Sequence, residues 1–418
     1  MKDKVKSIKI LLSNNKKVIE NYFFMTILQV LNALFYLLIY PFLIRTLGAE
    51  SYGLYVFVTA IISYFVIFIG FGFDLPAVKS IAQNVDDLSC KIHTLSCIFT
   101  AKIYLEVLSL IVFTIIIFSI PAFRVNWFLF YICFFQTLTN ILFPQWYFQG
   151  VQRMRIVTYI QLIFKIISLP LIFLTIHSST DLWIFLVITS SVSVAGAATA
   201  AFIVHFKEGV QIRWMPYPEV RIWFKDAFPF FLSSSAGIIK EQSIAVIIGL
   251  FFGMRDVAIY DLANKIVIVP RTLLMSVNGA LFPKIIANIQ SRKVKMIINY
   301  ETIIGLFVIV SIVFFGKWFV LIMGGSVMIA SYPLAVVLSI TVLSWLVVGS
   351  YINFVFIPHH KYYYVTKNQF VAFLSFFFYC IIGLLFIRNI FVLAIAISLS
   401  GLTEIAYCRY IIKKNKLL

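Results

Sequence analysis

The stretch GIIKEQSIAV, residues 237–246, sets Lys240, Glu241 and Gln242 side by side in an apolar run from Phe228 to Phe252. Other apolar blocks carry Lys102 with Glu106, Lys165 alone, Asp261 with Lys265, and Arg271 directly after Pro270. At the centre of a membrane helix each such charge costs about 2.5–3.5 kcal/mol, so several together need a reason. Ammonium and guanidinium groups at that depth suit phosphate or carboxylate groups on a substrate, while buried carboxylates suit protons or sodium. Lys102 and Glu106 are four residues apart, as are Asp261 and Lys265, so each pair shares a helix face and can close as an ion pair. Lys240 and Glu241 point about 100° apart on a helix and cannot easily close on each other. Pairing therefore leaves Lys165 and Arg271 uncompensated. Counted over the spans, five cations oppose three carboxylates, a surplus of two positive charges. One reading is intramembrane pairing in a dry core. The reading favoured by the surplus is a water-filled, net cationic central cavity for an anionic substrate, with Lys240 the better substrate residue and Glu241 its partner or an ion site.

These residues need apolar helices to hold them. The chain has 418 residues, 62% hydrophobic and 12% charged, which is too few charges to build a water-facing exterior. A bilayer crossing takes about 20 apolar residues. Blocks of that kind fall at 21–41, 52–73, 97–120, 126–144, 156–176, 182–205, 227–252, 257–281, 301–323, 328–352, 369–387 and 389–410, which makes twelve spans. With both termini cytoplasmic, 24 of the 34 Lys and Arg lie on the cytoplasmic side and five on the other. The remaining five, Lys102, Lys165, Lys240, Lys265 and Arg271, lie inside spans. That bias is the positive-inside pattern, so the net charge of +18 points to topology and not to nucleic acid. The expected fold class is an all-α polytopic membrane protein in two six-helix bundles around a central cavity. Spans three, five, seven and eight carry the charges toward that cavity. The expected parts are an interfacial helix at 1–20, bundles at 21–205 and 227–410, a cytoplasmic linker at 206–226 and a tail at 411–418.

Other candidates are weaker. Val5, Ile8, Leu11, Leu12 and Ile19 approximate a helical stripe among six lysines, which fits an uncleaved interfacial helix. The five cysteines form no CxxC or Cys/His cluster with metal-ligand spacing, so neither a disulfide frame nor a metal site is expected. In NVDDLS (84–89) the aspartates read as a solvated or capping pair, and His359 and His360 in FIPHHKYYY as part of an interfacial aromatic belt. IMGGS (322–326) is a turn with no Walker lysine after it, so no nucleotide cofactor is expected and energy must come from an ion gradient or product removal. Pro41, Pro121, Pro144 and Pro283 sit at span ends, Pro170 and Pro270 inside spans, and Pro229 in a first turn.

A shift of 205 residues lays LGAESYGLY (47–55) on FGMRDVAIY (252–260), matching Gly48 to Gly253 and Tyr55 to Tyr260. The register continues to KSIAQN (79–84) over KIIANI (284–289), so span pair one–two answers to pair seven–eight. Two similar halves of six spans imply parallel repeats, an architecture of alternating-access transporters.

YPFLIRTLGAESYGLYVF (40–57), a glycine-bearing turn after the first span, resembles the signature region of Wzx-type polysaccharide flippases of the multidrug/oligosaccharidyl-lipid/polysaccharide exporter superfamily. FGFDLPAVKSIAQN (71–84) is similar to that family's end of span two and first cytoplasmic loop. The resemblance implies translocation of an undecaprenyl-diphosphate-linked oligosaccharide between leaflets of a bacterial inner membrane for O-antigen assembly. It implies that the chain is not an enzyme, and that membrane lipids, a polysaccharide polymerase and a chain-length regulator are its partners. It also implies Lys102, Lys165, Lys240, Lys265 and Arg271 as groups for substrate anions, with Glu106, Glu241 and Asp261 as ion-coupling sites. Arg45 and Asp74 resemble gate positions. A multidrug antiporter of the same superfamily is disfavoured by the cationic surplus, since its cavity would hold organic cations. A membrane-embedded polymerase or ligase is disfavoured by the short outer loops.

Overall fold

Hydrocarbon offers backbone amides no water, so a chain this apolar satisfies its N–H and C=O groups within helices. The computed structural model describes residues 16–286, 291–359 and 361–418, and among these every regular element is helical. The main helices are α1 (Lys16–Gly70), α2 (Asp74–Gln83), α3 (Leu88–Ser119), α4 (Trp127–Phe135), α5 (Gln145–Gly150), α6 (Met154–Thr175) and α7 (Leu182–Phe202). They continue as α8 (Tyr217–Phe251), α9 (Met254–Ile286), α10 (Ser291–Gly324), α11 (Ser331–Leu338), α12 (Ile340–Tyr351), α13 (Tyr362–Phe386) and α14 (Ile390–Lys414). Ten helical segments of the described residues are long and apolar enough to cross a membrane. The charged α9, 33 residues long, is not among the ten.

Helix breaks follow residue chemistry. In α1 the helical path is interrupted at Gly48 (φ 77°, ψ 165°), and Gly253 (φ 118°) separates α8 from α9. A left-handed φ favours a residue without Cβ, and these two glycines are the pair aligned by the 205-residue shift. The far end of that register, KIIANI, runs into 287–290, outside the described residues, as do residues 1–15 of the expected interfacial helix and His360.

Several expected boundaries move. Pro41 does not end the first span: the helix passes it and runs to Gly48. Pro229 is not in a first turn, because α8 already starts at Tyr217, ten residues inside the expected 206–226 linker. Arg221, Lys225 and Asp226 lengthen this helix at its polar end, where an apolar-block reading cannot follow it. The expected span 126–144 breaks into α4, a 3₁₀ turn at Gln136–Leu138 and a short helix at Thr139–Leu142. Asp87 caps α3, its carboxylate accepting from the amides of Ser89 and Cys90.

The chain divides into two compact units. The first comprises Met1–Phe35, Tyr64–Ile176 and Trp183–Leu232, and the second Tyr36–Ser63, His177–Leu182 and Ser233–Leu418. The first unit's core gathers Ile69, Phe73, Ile81, Trp146, Tyr147, Phe148 and Val220, with α2 against α5. Phe71 stacks on Phe231 there, ring centroids 4.4 Å apart. In the second unit α13 packs along α14, α10 along α12 and α9 along α11. Within that unit a Cβ on Gly53 would lie 1.7 Å from the Met254 carbonyl oxygen, so the segment after the Gly48 turn meets the start of α9 backbone to backbone.

Candidate functional site

In the first unit, Lys102 projects from α3 and is only 4% exposed. Its Nζ donates to the Asn140 carbonyl at 2.9 Å and lies 3.8 Å from Asp74 Oδ1, a carboxylate that is 69% exposed. The Asn140 carbonyl is open to this contact because the residue four further on is Pro144, which has no N–H to donate. A small cavity beside Lys102, with roughly room for one water, is lined by Leu95, Ile98, Pro144 and Trp146. Glu106 is not paired with Lys102. Its Oε1 accepts from Thr137 Oγ1 at 2.5 Å, whereas its buried Oε2 and the Ser109 hydroxyl have no hydrogen-bond partner among the described residues. The i,i+4 pair fails because Lys102 finds a carbonyl freed by a proline at shorter range.

Lys165 lies on α6, half-buried. Its ammonium donates to Asn32 Oδ1 on α1 and sits 5.0 Å from the centroid of the Phe35 ring. Among the described residues no carboxylate comes within 4.0 Å of it, so the expectation of an uncompensated Lys165 stands.

The second unit treats its cations differently. Lys240 and Glu404 form a buried ion pair, Nζ to Oε1 2.8 Å, with side chains 8% and 12% exposed. Asn368 donates to the other oxygen of Glu404 at 3.3 Å, and Cys408 Sγ lies 3.4 Å from Asn368 Oδ1. Arg271 lies 3.4 Å from Glu241 Oε1, and its guanidinium rests 4.0 Å from the Trp345 ring centroid. Arg271 therefore has the partner that the pairing argument denied it. Asp261 accepts from Tyr52 at 2.8 Å and Tyr36 at 3.2 Å, with Lys265 at 4.0 Å and that ammonium over the Tyr36 ring at 4.7 Å. Glu301 accepts from the Ser350 hydroxyl, and Arg45 donates to the Ile322 carbonyl at 3.2 Å.

The charge balance needs correction. Glu301 and Glu404 also lie within the apolar blocks, and by the same bounds so do Lys317 and Arg409, so seven cations oppose five carboxylates and the surplus of two is unchanged. Glu404 escaped notice because it stands near the end of an apolar block, 164 residues from Lys240, where no periodicity links the two. Tyr36, Tyr52 and Asn32 escaped because uncharged polar residues in apolar helices give no signal of their own.

A helical chain with ten segments fit to cross a bilayer, and with charged side chains packed among them, is a multi-pass membrane protein. Residues 18–290 match the family model described as polysaccharide biosynthesis protein, and the chain belongs to that family. A candidate O-antigen transporter of Escherichia coli (strain K12) is 29% identical over 288 residues, 68% of this chain and 69% of that protein. A candidate O-antigen transporter of Shigella dysenteriae is 22% identical over 289 residues, 68% of this chain and 72% of that protein. Among solved structures, the inward-facing conformation of a multidrug resistance MATE family transporter of the MOP superfamily superposes with TM-score 0.70, covering 94% of this chain and 99% of that one at 12% identity. The lipid II flippase MurJ in its inward closed conformation gives TM-score 0.68, covering 97% of this chain and 87% of that one at 14% identity. At such identities the structural likeness is one of fold. The two relatives are named as transporters, which move a substrate without transforming it.

Proposed function

We propose that this protein is a flippase of a bacterial cytoplasmic membrane, carrying an undecaprenyl-diphosphate-linked oligosaccharide from the cytoplasmic to the periplasmic leaflet by alternating access. Family membership supports the polysaccharide pathway, and the relatives named as O-antigen transporters support a surface glycan as the product. Twelve crossings are supported by adding the Gly48 turn, which splits Phe23–Gly70, and α9 to the ten segments. A straight helix over those 48 residues would be about 72 Å long, more than twice the hydrocarbon thickness. The matched turns at Gly48 and Gly253 support two related six-span halves. The distribution of Lys and Arg supports cytoplasmic termini.

The observation that carries the reading is the state of Lys165. A membrane-depth ammonium held by one amide oxygen and a ring face keeps donors available for an incoming phosphate, as a lysine locked to a carboxylate does not. Lys102, held mainly by a backbone carbonyl, is the second group of this kind. Lys165 and Lys102 thus replace Lys240 as the leading substrate residues. Lys265 and Arg271 stand next, each with a carboxylate and an aromatic face. Lys240 with Glu404 is a neutral structural pair. Glu106, with one buried oxygen unpartnered, is the best-placed carboxylate for a coupling proton or sodium ion.

The test is complementation of a flippase-null strain carrying a defined repeat unit, scored by surface glycan. Wild type should restore it, and Lys165→Ala should restore it roughly 10- to 100-fold more slowly, at equal abundance in the membrane. Surface glycan at the wild-type rate from the Lys165→Ala protein would sink the substrate assignment, and failure of wild type across several repeat units would sink the flippase reading.

A further inference from the structure

His93 and Cys97 are four residues apart on α3 and therefore share a face, a helical Cys/His pair where no Cys/His cluster was expected. The fold brings Glu219, in the first turn of α8, onto that face. Glu219 Oε2 lies 2.7 Å from His93 Nε2, Cys97 Sγ lies 3.7 Å from the same nitrogen, and one ligand atom from each residue falls within 4.8 Å of the other two. All three residues belong to the first unit.

We propose that His93, Cys97 and Glu219 form a binding site for a transition metal ion of the zinc class, joining α3 to the start of α8. Imidazole, thiolate and carboxylate together are a borderline-soft set that selects zinc over calcium or magnesium. Zinc bonds of about 2.0–2.3 Å in a tetrahedron place ligand atoms roughly 3.3–3.8 Å apart. The sulfur–nitrogen distance already meets that spacing, and the carboxylate reaches it by a small side-chain rotation. The site is built for entry from water: His93 and Glu219 side chains are 48% and 40% exposed, while Cys97 is fully buried behind them. The Trp223 indole lies within hydrogen-bonding reach of the Cys97 sulfur, the kind of outer partner that orients a metal-bound thiolate. Three protein ligands leave the fourth position to water or an exogenous ligand.

Coordination releases the Cys97 proton to solvent and gives the ion two anionic ligands and a neutral imidazole. A solvent-exposed His–Glu contact alone contributes little, whereas a metal ion makes the same three groups a cross-link between two helices. The connector between α7 and α8 ends at this point, so the ion would fix where α8 begins. The proposal does not depend on the transport reading.

The experiment uses the full chain in detergent, purified on a tag without histidine, with Co²⁺ as spectroscopic probe. Wild type should take up a single equivalent with thiolate-to-cobalt charge-transfer absorption, displaced by Zn²⁺. Cys97→Ser should lose that absorption and Cys90→Ser should keep it. His93→Gln and Glu219→Gln should each lose stoichiometric uptake; Glu219 is exposed enough for its variant to fold even if Cys97→Ser does not. Absence of charge-transfer absorption in wild type, its persistence in Cys97→Ser, or undiminished uptake in both His93→Gln and Glu219→Gln overturns the proposal.

Discussion

Both units bury lysines at membrane depth, yet they neutralise them in different currencies. In the first, Lys165 is held by an amide oxygen, Lys102 by a backbone carbonyl with only the exposed Asp74 carboxylate 3.8 Å away, and Glu106 keeps one oxygen without a donor among the described residues. In the second, Lys240 is locked to Glu404, Arg271 lies against Glu241, and Asp261 is shared by two tyrosines and Lys265. Neutral oxygens lower the desolvation cost of a cation without cancelling its charge, so the first unit remains attractive to an anion. Carboxylates cancel the charge, so the second unit gains cohesion and loses attraction. Charge at depth is thus not a uniform sign of function: what matters is whether the partner is an ion or a dipole.

Breaking the second unit's pairing should have the largest effect. Glu404→Ala strands the Lys240 ammonium in a buried site and should cost about 3–5 kcal/mol. A steep loss of monodisperse protein and a lowered melting temperature in detergent would register it. The double variant Lys240→Met/Glu404→Leu should recover most of that stability, and a double variant as unstable as Glu404→Ala would mean the pair is not the cause.

The first unit should respond in function and not in stability. A charge-assisted hydrogen bond to phosphate contributes about 1.5–3 kcal/mol, so Lys165→Ala should slow glycan export by roughly 10- to 100-fold. Its melting temperature should remain near that of wild type. A fall in melting temperature as large as that of Glu404→Ala would erase the contrast between the units.

Gly53→Ala probes the second unit's cohesion by packing alone. Its new Cβ would lie 1.7 Å from the Met254 carbonyl, which overpacks a backbone contact and should cost about 1–3 kcal/mol. Gly237→Ala, whose Cβ would meet only Gln369 Oε1 at 3.6 Å, should be close to neutral by the same melt. Equal behaviour of the two variants would refute the tight junction.

The smallest effect belongs to Arg45→Ala. Arg45 makes an exposed hydrogen bond to the Ile322 carbonyl, and its removal should cost less than about 1 kcal/mol. A larger loss would give Arg45 a structural importance equal to the buried pairs.

Much of this fold is legible in the sequence, because the bilayer imposes a simple rule on every segment: about 20 apolar residues, few charges, and turns where glycine permits a left-handed φ. Apolar blocks locate the spans, and the 205-residue shift picks out Gly48 and Gly253, both of which are turns. Even the freed Asn140 carbonyl is written in the chain, four residues before Pro144. Helix ends that run into polar water are less legible, as α8 shows by starting at Tyr217, because nothing in the composition there demands that the helix stop.

Composition and patterning fix the membrane class, the family, the approximate spans and most of the charges inside them, whereas Glu404 and the question of which charges cancel belong to the packing of helices distant in sequence. Periodicity reaches three or four residues along one helix, whereas Lys240 meets Glu404 across 164 residues, Arg271 meets Glu241 across 30, and Lys165 meets Asn32 across 133. Coulomb energy at low dielectric depends on those distances in space. A charge whose partner lies on another helix is therefore assigned its role by packing.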